Sequence, residues 1–206
     1  MNLNTKDYIL LACLGVVSGG LSFYGFNLMD FAMGAFGIAA SWLPGVIFGI
    51  FFSIYILINK KSIKKWKIII FIIGSTISSW AAHSIVIALG INEVIESFYL
   101  LIFLGGLVGS FLLVTSTRLS IARLHIKEFI FGIVVGTILG FSYFINIDSF
   151  IEPVSRNMID SPWHIVLNSP NNVGPIQLYI IWQVGMMITL GCFVKKGDKP
   201  INDIPQ

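Results

Sequence analysis

Apolar residues run almost unbroken through six stretches of the chain, at 8–26, 31–58, 67–90, 97–116, 129–147 and 175–194. Each is about long enough to cross the ~30 Å hydrocarbon core of a bilayer, which takes about 20 helical residues. None alternates with the period of two required by a membrane barrel, and all exceed the barrel's strands of about 9–11 residues. The pattern predicts an all-α, polytopic integral membrane protein of about six transmembrane helices. It forms one membrane domain over 1–206, with residues 148–174 as a long outer loop.

The second stretch is too long for one straight span. At 1.5 Å per residue it reaches about 42 Å as a helix, so a bend or break is expected. "SWLPGV" at 41–46 is the place: Pro44 removes a backbone donor and Gly45 relaxes the chain. Two outcomes are open, a tilted helix kinked at Pro44 and Gly45, or a half-helix over 31–43 that offers free backbone groups to a substrate.

Composition places the chain firmly in the bilayer. It is 56% hydrophobic and 11% charged with a mean hydropathy of +0.87, against about 25% charged in a soluble domain. Charge placement then sets the orientation, because Lys and Arg are retained in short cytoplasmic loops. With the N-terminus inside, twelve of the 13 basic residues fall inside and only Arg156 outside. Six of the 10 acids, Asp30, Glu93, Glu96, Asp148, Glu152 and Asp160, fall outside. Six spans return the C-terminus to the cytoplasm, as expected of a multi-pass protein of the inner (plasma) membrane. The basic run "KKSIKKWK" at 60–67 is a topological signal without a folded module around it, so no nucleic-acid partner is expected.

"LLAC" at 10–13 looks superficially like a lipoprotein processing site, but the apolar run before Cys13 is shorter than the ~7–15 residues such a signal needs. Cys13 is expected to be a buried small residue, and Cys192 to lie near the inner leaflet with its thiol reduced. Two cysteines make no disulfide framework, and no metal-ligand spacing occurs. No metal or cofactor is expected.

Small residues recur at intervals of four, as Gly15/Gly19, Gly45/Gly49, Gly105/Gly109 and the ladder Gly132/Gly136/Gly140. Lipid supplies no hydrophobic drive between helices, so such faces let backbones approach and pack. Packing within the bundle is the favoured use. A homo-oligomer through Gly132, Gly136 and Gly140 is the alternative.

One span departs from its apolar surroundings. "STISSWAAHS" at 75–84 carries five hydroxyl side chains, a tryptophan and a histidine. On a helical wheel Thr76, Ser79, Trp80 and His83 share an arc of about 100°. Polar faces within a membrane turn toward other helices or a wet cavity. Tyr179 and Gln183, one turn apart near the outer end of the sixth stretch, reach a similar depth, as do Tyr143 and Ser22. Ser79, Trp80, His83, Tyr179 and Gln183 are therefore candidate ligand-binding residues of an outward-facing pocket, with hydrogen bonding between helices as the competing role. No Asp, Glu, Lys or Arg lies well inside a span, which disfavours a proton relay or a voltage sensor.

Three function classes remain. A small-molecule permease or membrane-embedded substrate-binding component uses the polar cluster and an apolar pocket. An assembly or regulatory membrane protein uses the basic loops and the connector 115–128, which reads as an interfacial helix. An enzyme has to draw on the outer loop, where Glu152, Asp160 and His164 match no catalytic motif, and this reading is the weakest. In size and plan, six spans with both ends inside, the chain resembles the substrate-binding membrane components of vitamin uptake systems. The resemblance is one of plan, without a motif, and implies membrane-embedded binding of a small molecule.

Overall fold

The computed structural model describes residues 3–33, 40–59, 63–91, 97–141 and 176–196. They form six helices, α1 (Thr5–Met33), α2 (Leu43–Asn59), α3 (Lys65–Ile91), α4 (Phe98–Ser120), α5 (Ile126–Gly140) and α6 (Ile176–Lys196). Among the described residues α1, α3, α4 and α6 are long and apolar enough to cross a membrane, and α2 is apolar but shorter at 17 residues. Large aliphatic side chains such as Ile9, Leu21, Ile73 and Ile138 stand exposed on the outside of the bundle, where lipid rather than water suits them. The chain is an all-α, multi-span membrane protein.

The helices stand in a ring in chain order. Each packs mainly on the next, and α6 closes the ring against α1. Across the ring α2 meets α6, where the Phe48 and Trp182 rings lie 5.8 Å apart. One half of the interior is filled. Phe52 stands 5.4 Å from Phe71 and 5.9 Å from Tyr55, centroid to centroid, and Leu11, Met187 and Leu190 complete a buried plug around them. The filled half is the end where α1 begins and α6 finishes. There Asp7 and Lys195 form an ion pair. Asp7 sits in the first turn of α1, where its backbone N–H also bonds the Asn4 side chain at 2.8 Å, and Lys195 in the last turn of α6. Each charge lies at the helix end that favours it.

Glycines make the ring tight. A Cβ at Gly15 or Gly19 would come within 2.6 Å of the α6 backbone at Val184 or Ile180. One at Gly45 would fall on the Ser75 carbonyl, and one at Gly105 would lie 2.6 Å from Val86. The ladder on α5 is likewise consumed inside the chain. Gly132, Gly136 and Gly140 are buried, against Val114 and Phe193, Ser110 and Met186, and Gly106 respectively. These three glycines thus serve the packing of α5 on α4 and α6 within the chain.

Several boundaries differ from the sequence expectation. Residues 31–33 continue α1, 40–42 form a turn, and α2 begins at Leu43. Pro44 and Gly45 therefore open a helix instead of breaking one. The Val46 N–H bonds the Trp42 carbonyl at 3.2 Å, the first bond of the helix, so the missing N–H of Pro44 falls in a turn where no partner is needed. The connector 115–128 contains no separate interfacial helix: α4 persists to Ser120, and α5 starts after five residues, 121–125. Cys13 is exposed rather than buried, because it lies on the same outward face of α1 as Ile9, Val16 and Val17. Tyr143 and the outer loop 148–174, with Glu152, Asp160 and His164, lie outside the described residues.

Candidate functional site

The polar run on α3 is divided between two tasks. Three of its serines stitch helices together. Ser75 donates to the Gly45 carbonyl of α2 at 2.7 Å, Ser79 to the Ser41 carbonyl at 2.7 Å, and Ser78 to the Gly109 carbonyl of α4 at 2.6 Å. Thr76 turns back to the Ile72 carbonyl of its own helix at 2.7 Å. The Gly45 and Ser41 carbonyls beside Pro44 are accordingly engaged by α3, and residues 34–39 of the expected half-helix lie outside the described residues.

His83 has the second task. Its Nδ1 lies 2.8 Å from the Ser79 carbonyl, one turn back. A carbonyl can only accept, so Nδ1 carries the proton and, in the neutral ring, Nε2 is left as an acceptor. Nε2 points at the Tyr179 hydroxyl of α6, 3.4 Å away. That is long beside the ~2.8 Å of a full-strength bond to a hydroxyl. The imidazole stacks on the fully buried Phe26 ring of α1, with centroids 5.5 Å apart at 29°. Tyr179 completes the group at 6.2 Å from Phe26 and 6.1 Å from Phe23.

Gln183, one turn below Tyr179, is 2% exposed. Its Nε2 donates to Ser22 Oγ at 2.7 Å, and its Oε1 accepts from Ser18 Oγ. The amide clamps α6 to α1, each end with one of its two bonding positions. Trp182 plays a similar part toward α5, its indole N–H donating to the Gly136 carbonyl at 3.1 Å. Removal of side chains along the α5 ladder is what lets the indole reach that carbonyl.

Where the ring is not filled it is hollow. A cavity of about 310 Å³ lies between α2, α3, α4, α5 and α6, the size at which small-molecule pockets begin. Ser75, Ser78, Ser79 and His83 of α3 line it, with Tyr179, Trp182 and Gln183 of α6 and Phe48 of α2. Pro44 and Gly45 border it, and α4 contributes Gly105, Gly106 and Gly109. No Asp, Glu, Lys or Arg is among the described residues on its wall. Nor do any three His, Cys, Asp or Glu side chains converge among the described residues.

Four of the five sequence candidates, Ser79, His83, Tyr179 and Gln183, thus surround one space, and Trp80 does not. Trp80 is 49% exposed on the outside of α3. It follows Ser79 by about 100° of helix turn, enough to carry its ring past the α3–α2 seam to the lipid side, where an indole with one polar edge is at home. Sequence reasoning also passed over Ser18, Phe26, Phe48 and Trp182. Ser18 and Ser22 carried a usable signal, a polar pair at i, i+4 on an otherwise apolar helix. Phe26, Phe48 and Trp182 carried none, since any aromatic on these spans can face lipid. Comparison with known families, curated proteins and solved structures finds no match for this chain.

Proposed function

We propose that this chain is an inner-membrane small-molecule permease or substrate-binding component, with six spans, both termini in the cytoplasm and a pocket that faces outward. The observation that carries the reading is the asymmetry of the ring. It is filled by Phe52, Tyr55 and Phe71 toward the Asp7–Lys195 end and hollow around His83, Tyr179 and Gln183 toward the other. Twelve of the 13 basic residues fall on one side of a six-span plan, which supports a cytoplasmic place for the filled end. The pairing of Asp7 with Lys195 supports an even number of crossings, because it joins the first turn of α1 to the last turn of α6. The pocket has the composition of a binding site, aromatic and aliphatic walls with a few placed polar groups.

In this reading the serines and the Gln183 amide hold the walls while His83 and Tyr179 face the ligand. Native mass spectrometry of the purified full chain tests it. A bound small molecule is expected to be released from the wild-type protein and to be absent from folded His83→Ala. Wild-type protein without any retained molecule, or equal retention by the variant, contradicts it.

A further inference from the structure

We infer that the ligand is an electrically neutral, ring-sized molecule with a single hydrogen-bonding end. This rests on the pocket reading above and adds the chemical class. Three observations converge on it.

The first is charge. The described wall carries no ionised side chain, and a charge taken into such a place without a partner is strongly disfavoured. The second is the distribution of hydrogen-bonding capacity. The hydroxyls of Ser75, Ser78 and Ser79 are committed to carbonyls of α2, of α4 and of the turn before α2. What faces the space is the Nε2 acceptor of His83, held to Tyr179 of α6 only by a 3.4 Å contact, while the Gln183 amide turns to Ser18 and Ser22 of α1. The polar part of a ligand therefore has one place to go, beside the His83 ring. A ligand N–H or O–H shortening the contact to Nε2 would make a better bond than the one it displaces.

The third is shape. On one side the wall is glycine backbone, Gly105, Gly106 and Gly109. Phe48 of α2 and Trp182 of α6 also line the space, their rings 5.8 Å apart and tilted by 56°. Bare backbone and aromatic rings in one wall suit an apolar ring. The volume of about 310 Å³ lies at the small end of ligand pockets, which favours a single ring with a small substituent over a larger molecule.

A matched set of probes reads the class directly: benzamide, neutral with an amide end, and benzoate and benzylammonium, of similar size but charged. Ile102 lines the cavity, so Ile102→Cys in a Cys13→Ser, Cys192→Ala background places a thiol in it. The folded full chain in lipid nanodiscs is treated with the uncharged reagent methyl methanethiosulfonate, and the reaction rate is followed with each probe. Cys13 of the wild-type chain, on the lipid-facing side, controls for effects outside the cavity. Benzamide is expected to slow the reaction at position 102 and not at Cys13, with the charged probes needing at least about tenfold higher concentration. Protection by benzoate or benzylammonium equal to that of benzamide overturns the inference. Reaction that none of the three slows also overturns it while leaving the pocket reading intact. No reaction at position 102 in folded protein removes the pocket, and the inference with it.

Discussion

His83 Nε2 faces the Tyr179 hydroxyl across the ring at 3.4 Å, while His83 Nδ1 is held at 2.8 Å by a carbonyl of its own helix. The histidine is thus anchored locally and only weakly tied to α6. A residue that glues two helices has the reverse arrangement, as Gln183 shows with its bonds to Ser18 and Ser22.

The first prediction follows from that contrast. His83→Phe keeps an aromatic ring, slightly larger, against Phe26 and removes both nitrogens beside an open space, so it is expected to lower stability by less than about 1 kcal/mol. Gln183→Leu loses both bonds to α1 and leaves two buried hydroxyls without their partner, which is expected to remove roughly 1–2 kcal/mol. Thermal unfolding in detergent, run side by side, measures both. A larger loss for His83→Phe than for Gln183→Leu reverses the assignment of roles.

Two glycines provide a second test. A Cβ at Gly136 would fall on Ser110 Oγ and lie 2.9 Å from Met186 Sδ, whereas nothing lies within 4 Å of one at Gly20. Gly136→Leu is expected to destabilise the bundle by about 1–3 kcal/mol through overpacking. Gly20→Leu is expected to leave the unfolding temperature in place, and equal effects of the two contradict the packing scheme.

Much of the architecture is legible in the sequence because its causes are local. Long apolar runs without alternation admit only helices in lipid, and Gly15, Gly19 and Gly45 mark backbone approaches through the bare absence of a side chain. What could not be read depends on azimuth. Trp80 and Ser79 are neighbours in sequence and on the wheel, yet one faces lipid and the other the Ser41 carbonyl. That division is set by where α2 lies against α3, which no single-helix pattern contains. The exposure of Cys13 escapes the sequence for the same reason. Pro44 signals a disruption, but a proline is equally at home in a first turn, and the turn at 40–42 decides between the two. The cavity was legible only through its polar residues, since Phe48 and Trp182 look like any membrane aromatic.

Topology gives a third prediction. Reporter fusions after Asn59, His125 and Gln206 are expected to read cytoplasmic, and fusions near Asp30, Glu93 and Asn171 external. The Asp7–Lys195 pair sets the same requirement independently, because both residues must reach one membrane face. A reproducible external signal at Gln206 contradicts six crossings.

The most direct measurement of the central claim is accessibility along the ring's axis. In a background lacking Cys13 and Cys192, His83→Cys lies in the hollow half and Leu190→Cys in the filled half. A membrane-impermeant thiol reagent is added to whole cells, with the folded state of each variant verified by its unfolding temperature. A pocket open to the outside predicts that position 83 is labelled and position 190 is not. Position 83 unlabelled in intact cells, or labelled only after the cytoplasm is opened, contradicts the account.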